Sequence, residues 1–156
     1  MKKILIITGI AALIFGCGSS DSEKKDASAE ETKASASDAP KSDVNRGIGK
    51  FTKVEVSPTL DVTMADAGQK VYDVKCSACH KLTEEKLVGP GWKAVTSRRT
   101  PEWVMNFATN VDEMLAKDPE AQAQLEICLV RMPNQNLTDD DARHVYEFMR
   151  KNDGIK

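Results

Sequence analysis

The stretch Cys76-Ser77-Ala78-Cys79-His80 decides the fold of this 156-residue chain. Two cysteines that are separated by two residues and followed directly by a histidine form the attachment pattern for a c-type haem. Each sulfur can form a thioether with one vinyl group of the porphyrin, and the spacing lets both sulfurs reach neighbouring vinyl groups. The pattern therefore predicts one covalently bound haem, held by Cys76 and Cys79, with His80 as an axial ligand of its iron.

The beginning of the chain predicts export and lipidation. A basic start is followed by residues 4–15, which are almost wholly apolar, and then by Gly16 and Cys17. About a dozen apolar residues are too few to span a bilayer and are typical of a signal peptide. The end of this stretch resembles the lipobox of bacterial lipoproteins, in which the precursor is cut before a cysteine that then carries a lipid. We predict a signal peptide over residues 1–16 and a lipidated Cys17, with an ordinary cleaved signal as the alternative.

Residues 17–58 are predicted to form a polar, disordered tether. The composition from Gly18 to about Lys50 is mainly Ser, Ala, Asp, Glu and Lys, and no aromatic residue occurs there before Phe51. Such a segment buries too little apolar area to offset the entropy lost on ordering. The globular domain is therefore expected over residues 59–156, anchored by lipid on the periplasmic side of a membrane. The absence of an aspartate after the lipidated cysteine favours the outer membrane.

Inside the domain, the sequence predicts helices joined by loops and no strand. Thr100-Pro101-Glu102 and Asp118-Pro119-Glu120 each combine a helix cap, a first-turn proline and a first-turn acid. Met132-Pro133 ends the helix before it, because a proline disfavours helix at the preceding residue. Residues 81–97 are expected to form a loop. Helices are predicted over about 64–76, from 101 onward, over about 119–130 and over about 139–151.

The order of these motifs resembles a class I c-type cytochrome over residues 62–153. The shared features are a first helix with a glycine and an aromatic residue, the CSACH stretch, Gly89-Pro90, Met132-Pro133 and a last helix. The resemblance implies an all-α fold of four or five helices around one covalently attached haem, in which the N- and C-terminal helices cross. The first helix would make this contact through Gly68 and Tyr72. Their partners would be Val145 and Phe148.

Met132 is the predicted sixth ligand of the iron. It lies in a loop-like stretch before a proline, about fifty residues after His80, which matches the spacing in the family. Met114 is the second candidate. His144 is expected to be a surface or partly buried histidine, and Cys128 an inert thiol. A thioether ligand stabilises ferrous iron and raises the reduction potential relative to two histidines.

The resemblance also implies the residues around the ligands. His80 would donate its other ring N–H to the carbonyl of Pro90, which orients the ring. Trp92 would line the pocket. Either Arg98 or Arg99 would contact a haem propionate.

The leading functional prediction is a single-haem electron-transfer protein, which is not an enzyme and has no nucleic-acid or small-molecule partner. Its partners would be an upstream donor and a periplasmic reductase or terminal oxidase. Residues 88–92, 98–103 and 129–137 resemble small lipoprotein cytochromes that accompany nitrous oxide reductase, which implies donation to that copper enzyme. Between residues 75 and 99, six basic residues outnumber two acids, a charge distribution that can steer an acidic partner.

Three other classes of function stay open at this point. A small peroxidase or gas sensor would need an open iron position, against which Met132 argues. Zinc could be held by three cysteines and a histidine, Cys76, Cys79, Cys128 and His144, but this leaves His80 and Met132 unexplained. A thiol oxidoreductase normally has its cysteine pair at the start of a helix, where the helix dipole lowers the thiol pKa. Here the pair is predicted to close a helix.

Overall fold

The computed structural model describes residues 45–156, and within this range the chain forms six helices and no strand. They are α1 (Val62–Lys75), α2 (Val95–Arg98), α3 (Pro101–Thr109), α4 (Val111–Lys117), α5 (Pro119–Cys128) and α6 (Asp139–Asn152). The predicted all-α class is confirmed. The predicted signal peptide, Cys17 and most of the predicted tether lie outside the described residues. No helix within the described range is long and apolar enough to cross a membrane.

Side-chain caps explain where most of these helices begin. Four helices start after a residue whose side chain accepts a backbone N–H of the first turn: Asp61, Thr100, Asp118 and Thr138. The helix α6 has a full capping box, because Asp141 also accepts the N–H of Thr138. The observed helices differ from the prediction in two places. The expected loop 81–97 contains the start of the short α2, and Asn110, in a non-helical conformation, separates α3 from α4.

The helices α1 and α6 pack against each other more extensively than any other pair of helices in the described range. A Cβ added to Gly68 would lie 2.0 Å from the carbonyl oxygen of His144 and 2.9 Å from Cβ of Phe148. The two backbones therefore approach so closely that only glycine fits. Tyr72 lies one turn further along α1, with its ring centroid 5.3 Å from that of Phe148. The predicted contact of Gly68 and Tyr72 with Phe148 is present.

Residues 45–58, which were predicted to belong to the tether, pack against the helices in the described structure. The fully buried side chain of Asn106 donates to the carbonyls of Arg46 and Phe51 and accepts the N–H of Phe51. Glu102 accepts the N–H of Val54 at 2.7 Å. Composition predicted a tether here because it measures only apolar burial. These residues are held instead by hydrogen bonds between their backbone and side chains of α3.

Candidate haem-binding site

The cysteine pair lies at the end of α1, where the chain turns into the following loop. Cys76 is the C-cap residue of α1, and its carbonyl accepts the N–H groups of Cys79 and His80 at 3.0 and 2.9 Å. This tight turn brings two thiols and an imidazole together at one cavity. Neither cysteine forms a disulfide. Both sulfurs are therefore available for thioether bonds.

The cavity beside this turn has a volume of about 580 Å³ and mainly apolar walls. Its apolar wall includes residues from the loop and from four helices: Trp92, Val95, Val104, Phe107, Leu125 and Met149. Large apolar cavities with a few converging polar groups are typical of cofactor sites. The size, the apolar wall and the donor set of two thiols, an imidazole and a thioether fit a covalently attached haem.

Three contacts hold the ring of His80 in one orientation. Its Nδ1–H donates to the carbonyl of Pro90 at 2.9 Å, which is the contact that the resemblance implies. Gly89 packs against the ring, because a Cβ there would lie 2.3 Å from Cε1. The ring of Trp92 lies 5.4 Å from the imidazole, centroid to centroid. Together they leave Nε2 as the nitrogen available to a metal.

Burial lowers the pKa of His80, and the hydrogen bond to Pro90 opposes this effect. The imidazole is therefore neutral at pH 7, and a neutral imidazole is the form that binds metals. Its backbone is fixed as well, because the hydroxyl of Tyr72 donates to the carbonyl of His80 at 2.7 Å. The ring of Tyr72 also lies 4.9 Å from that of Trp92. The aromatic contact between α1 and α6 thus supports the proposed axial ligand directly.

Met132 lines the same cavity as His80. It lies on the loop between α5 and α6, which begins where Leu129 adopts a left-handed conformation with φ of 60°. A turn follows in which the side chain of Asn134 accepts the N–H of Asn136 at 2.8 Å. The loop is therefore stabilised by hydrogen bonding within itself, and Met132 is half-buried in it.

Met114, the second candidate for the sixth ligand, lies elsewhere in the described domain. It is fully buried, and its sulfur accepts the N–H of Ile48 at 2.9 Å. Met149 of α6 also lines the cavity. Of the two sequence candidates, the cavity is therefore lined by Met132 alone. Ligation of the iron by Met132 stays a prediction.

Both candidate propionate residues reach the cavity, so the structure does not reduce them to one. Arg98 donates to the carbonyl of Lys93 at 2.6 Å. Arg99 donates to Glu120 at 2.6 Å and lies over the ring of Trp103, 4.6 Å from its centroid. A propionate would add a partner to guanidinium groups that are already oriented.

The helix that carries Arg98 is held by a residue that the sequence analysis missed. The carboxylate of Asp153, just after α6, accepts the N–H groups of Ala94 and Thr96 and the hydroxyl of Thr96 at 2.6–2.9 Å. Asp153 therefore caps the start of α2 although it is distant in sequence. The N-cap residue of α2, Ala94, has a left-handed conformation. No local pattern signals this contact, because 57 residues separate Thr96 from Asp153.

Comparison with known proteins agrees with this geometry. The family model described as cytochrome c matches residues 65–153. The chain belongs to the cytochrome c family. Membership in this family confirms the predicted cofactor, covalently bound haem c with its iron. It also confirms the class I c-type fold.

Solved structures of cytochromes resemble this one over most of their length. Cytochrome c from Rhodothermus marinus is 28% identical, with a TM-score of 0.65 over 67% of this chain and 90% of that chain. An engineered form of that protein bound to a carbene intermediate is 27% identical, with a TM-score of 0.62 and the same coverage. No curated protein matches the chain.

Two alternatives from the sequence do not agree with the structure of this cytochrome. In residues 45–156, no three His, Cys, Asp or Glu side chains converge as metal ligands, so the zinc site is wrong. The cysteine pair closes α1, and burial raises the pKa of the Cys76 thiol to about 11. An activated redox thiol needs the opposite shift.

The other cysteine and histidine of the domain lie in different surroundings. Cys128 is half-buried at the end of α5 and lines the cavity, a position that its sequence context did not predict. His144 is half-buried on α6, as expected, with its backbone against Gly68. The cavity wall in the described domain includes Cys128 but not His144.

Proposed function

We propose that this cytochrome transfers electrons through a haem whose iron has His80 and Met132 as axial ligands. The observation that carries the proposal is that both residues line one cavity with Cys76 and Cys79. When bound, the haem supplies an iron that changes between the ferric and ferrous states. The hydrogen bond to Pro90 keeps His80 oriented, and a thioether from Met132 favours the ferrous state.

The chain around the cofactor would protect this redox couple from side reactions. The mainly apolar wall excludes water and lowers the local dielectric constant, which affects the reduction potential. Filling both axial positions leaves no place for a substrate on the iron. We therefore propose that the protein is not an enzyme in its native state. A peroxidase or gas sensor with an open iron position is the alternative.

Met132→Ala is expected to leave the sixth coordination position of the iron open to external ligands. Ferrous wild-type protein should bind little carbon monoxide at neutral pH, whereas the variant should bind one equivalent and have a lower reduction potential. The measurements are carbon monoxide titration by absorbance and a potentiometric titration. Met149→Leu, which alters another methionine of the cavity wall, and Met114→Leu should both behave like wild type. Ready binding of carbon monoxide by wild-type protein would favour the alternative function.

The rim of the cavity suggests the kind of partner. Apolar residues of the wall are exposed there, with Val88 37%, Ile127 60% and Val130 53% accessible. Basic residues outnumber acids in the same cavity wall, with Lys75, Lys86, Arg98, Arg99 and Arg131 against Glu84. Apolar contact surrounded by positive charge suits a redox protein with acidic residues around its own entry site.

We propose that this partner is a periplasmic reductase, with nitrous oxide reductase first and a haem–copper terminal oxidase second. The lipid on Cys17 would hold the domain at the membrane surface, with the outer membrane favoured. Reduced protein mixed with purified nitrous oxide reductase should be oxidised rapidly at low salt and more slowly at high salt, because salt screens charge steering. Stopped-flow absorbance of the haem measures both rates. If only the terminal oxidase oxidised the reduced protein, the oxidase would replace nitrous oxide reductase as the proposed electron acceptor.

A further inference from the structure

The cavity lies between two stretches of chain that are far apart in sequence. The attachment segment, residues 75–90, contains the cysteine pair, His80 and Pro90. The Met132 segment, residues 127–135, runs from the last turn of α5 into the loop before α6. Both segments line the cavity. Met132 can remain a ligand of the iron only while the Met132 segment stays at a constant distance from the attachment segment.

Two lysines of the attachment segment reach across to the Met132 segment. Lys75 donates from Nζ to the carbonyl of Gln135 at 2.9 Å. Lys86 donates from Nζ to the carbonyl of Ile127, also at 2.9 Å. The two acceptors are the first and last residues of the Met132 segment. The two hydrogen bonds thus fasten the segment at both ends, with Met132 between them.

The acceptors are carbonyls that local structure leaves available. Ile127 lies in the last turn of α5, where carbonyls have no partner within the helix. Gln135 lies in the irregular loop, beside Asn136 with a φ of 50°. An ammonium is a suitable donor for such groups, and bonds from charged donors are stronger than those between neutral groups.

Two neighbouring lysines, Lys81 of the attachment segment and Lys93 just after it, do not make this connection. Lys81 pairs with Glu85 at 2.9 Å, within the same loop. Of the four lysines in residues 75–93, only Lys75 and Lys86 make described contacts to the Met132 segment. Lys93 pairs with Glu84 at 2.8 Å, again locally.

We propose that Lys75 and Lys86 are positioning residues that keep Met132 on the iron. The inference rests on the proposed ligation by Met132. Without the two lysine hydrogen bonds, an exposed loop that is held to the iron by one thioether bond would open and let external ligands reach the metal. The ammonium groups do not touch the iron. They act by limiting how far the Met132 segment moves away from the attachment segment.

The test compares Lys75→Gln, Lys86→Gln and the double variant with the double variant Lys81→Gln/Lys93→Gln. The control removes the same charge from the same stretch but breaks only local pairs. The measured quantity is the rate at which imidazole binds ferric haem, which requires Met132 to leave first. We expect this rate to rise about threefold for each single variant and about tenfold for the double variant, with the control unchanged. Urea unfolding of the same proteins and the methionine-to-iron charge-transfer band are recorded in parallel.

The outcomes separate this inference from the proposed function. Faster imidazole binding with an unchanged unfolding midpoint supports the positioning role. A wild-type protein with the charge-transfer band, whose Lys75/Lys86 double variant binds imidazole no faster than the control, overturns the positioning role alone. Rates that rise only in proportion to a loss of unfolding free energy also overturn it, because the lysines then stabilise the whole domain. A wild-type protein without the band overturns ligation by Met132 and, with it, both proposals.

Discussion

Replacing Cys76 and Cys79 together by serine is expected to abolish covalent haem attachment and to leave the domain unfolded. Without haem, the cavity of about 580 Å³ has to stay empty, fill with water or collapse. At about 24 cal/mol per Å³ of cavity, an empty space of this size costs on the order of 14 kcal/mol. This is as large as the whole stability of a typical domain, about 5–15 kcal/mol. Water entering the open side reduces the cost but leaves the apolar wall exposed.

Haem staining after denaturing electrophoresis measures the loss of attachment. Near-ultraviolet circular dichroism and urea unfolding of the variant, freed of any non-covalently bound haem, measure the fold. Cys128→Ser is the matched control, because Cys128 lines the same cavity but is not part of the attachment pattern, and it should retain haem and a cooperative transition. Cooperative unfolding and a native-like spectrum of the haem-free double variant would show that the domain folds without its cofactor.

Gly68→Ala is expected to lower the free energy of unfolding by about 3 kcal/mol. The new Cβ would lie 2.0 Å from the carbonyl oxygen of His144, a backbone atom that cannot rotate away. Alanine favours the helix by about 1 kcal/mol relative to glycine. The clash exceeds this gain because α1 and α6 have to move apart along their whole contact. The separation also weakens the packing of Tyr72, and therefore its hydrogen bond to His80.

Urea unfolding of the haem-loaded protein measures this loss. Gln69→Ala is the control, because Gln69 is the next residue on α1 and is exposed. Its effect should stay within about 0.5 kcal/mol, as for most surface substitutions. A Gly68→Ala variant as stable as the control would mean that the helix contact tolerates a side chain.

The features that the sequence predicted well are encoded by residues that are close together in the chain. The CSACH turn needs only five consecutive residues. The hydrogen bond of His80 to Pro90, which spans ten residues, was implied by the family resemblance. The helix starts at Thr100 and Asp118 follow from caps and prolines that lie within one turn. The contact of Gly68 with α6 is long-range, and it was predicted because the family resemblance implied it.

The features that were missed depend on hydrogen bonds between distant residues. Asn106 binds residues 46–51, Asp153 caps α2, and Lys75 reaches Gln135 across 60 positions. Asparagine, aspartate and lysine are ordinary surface residues in a composition count, so their types alone do not indicate these roles. Their partners are backbone groups, which every residue has, and no sequence pattern marks which one is chosen.

By itself, the sequence predicted a covalently bound haem with Cys76 and Cys79 as its attachment residues and His80 as an axial ligand, and it indicated a helical chain. These properties depend on bond reach and local backbone preference, which act within a few residues. Only the tertiary structure decided which methionines reach the cavity, that residues 45–58 pack on the helices, and which lysines connect the two sides of the site. Those outcomes depend on how α1 and α6 pack and on which backbone carbonyls remain without a partner. Both emerge only when the whole chain is folded.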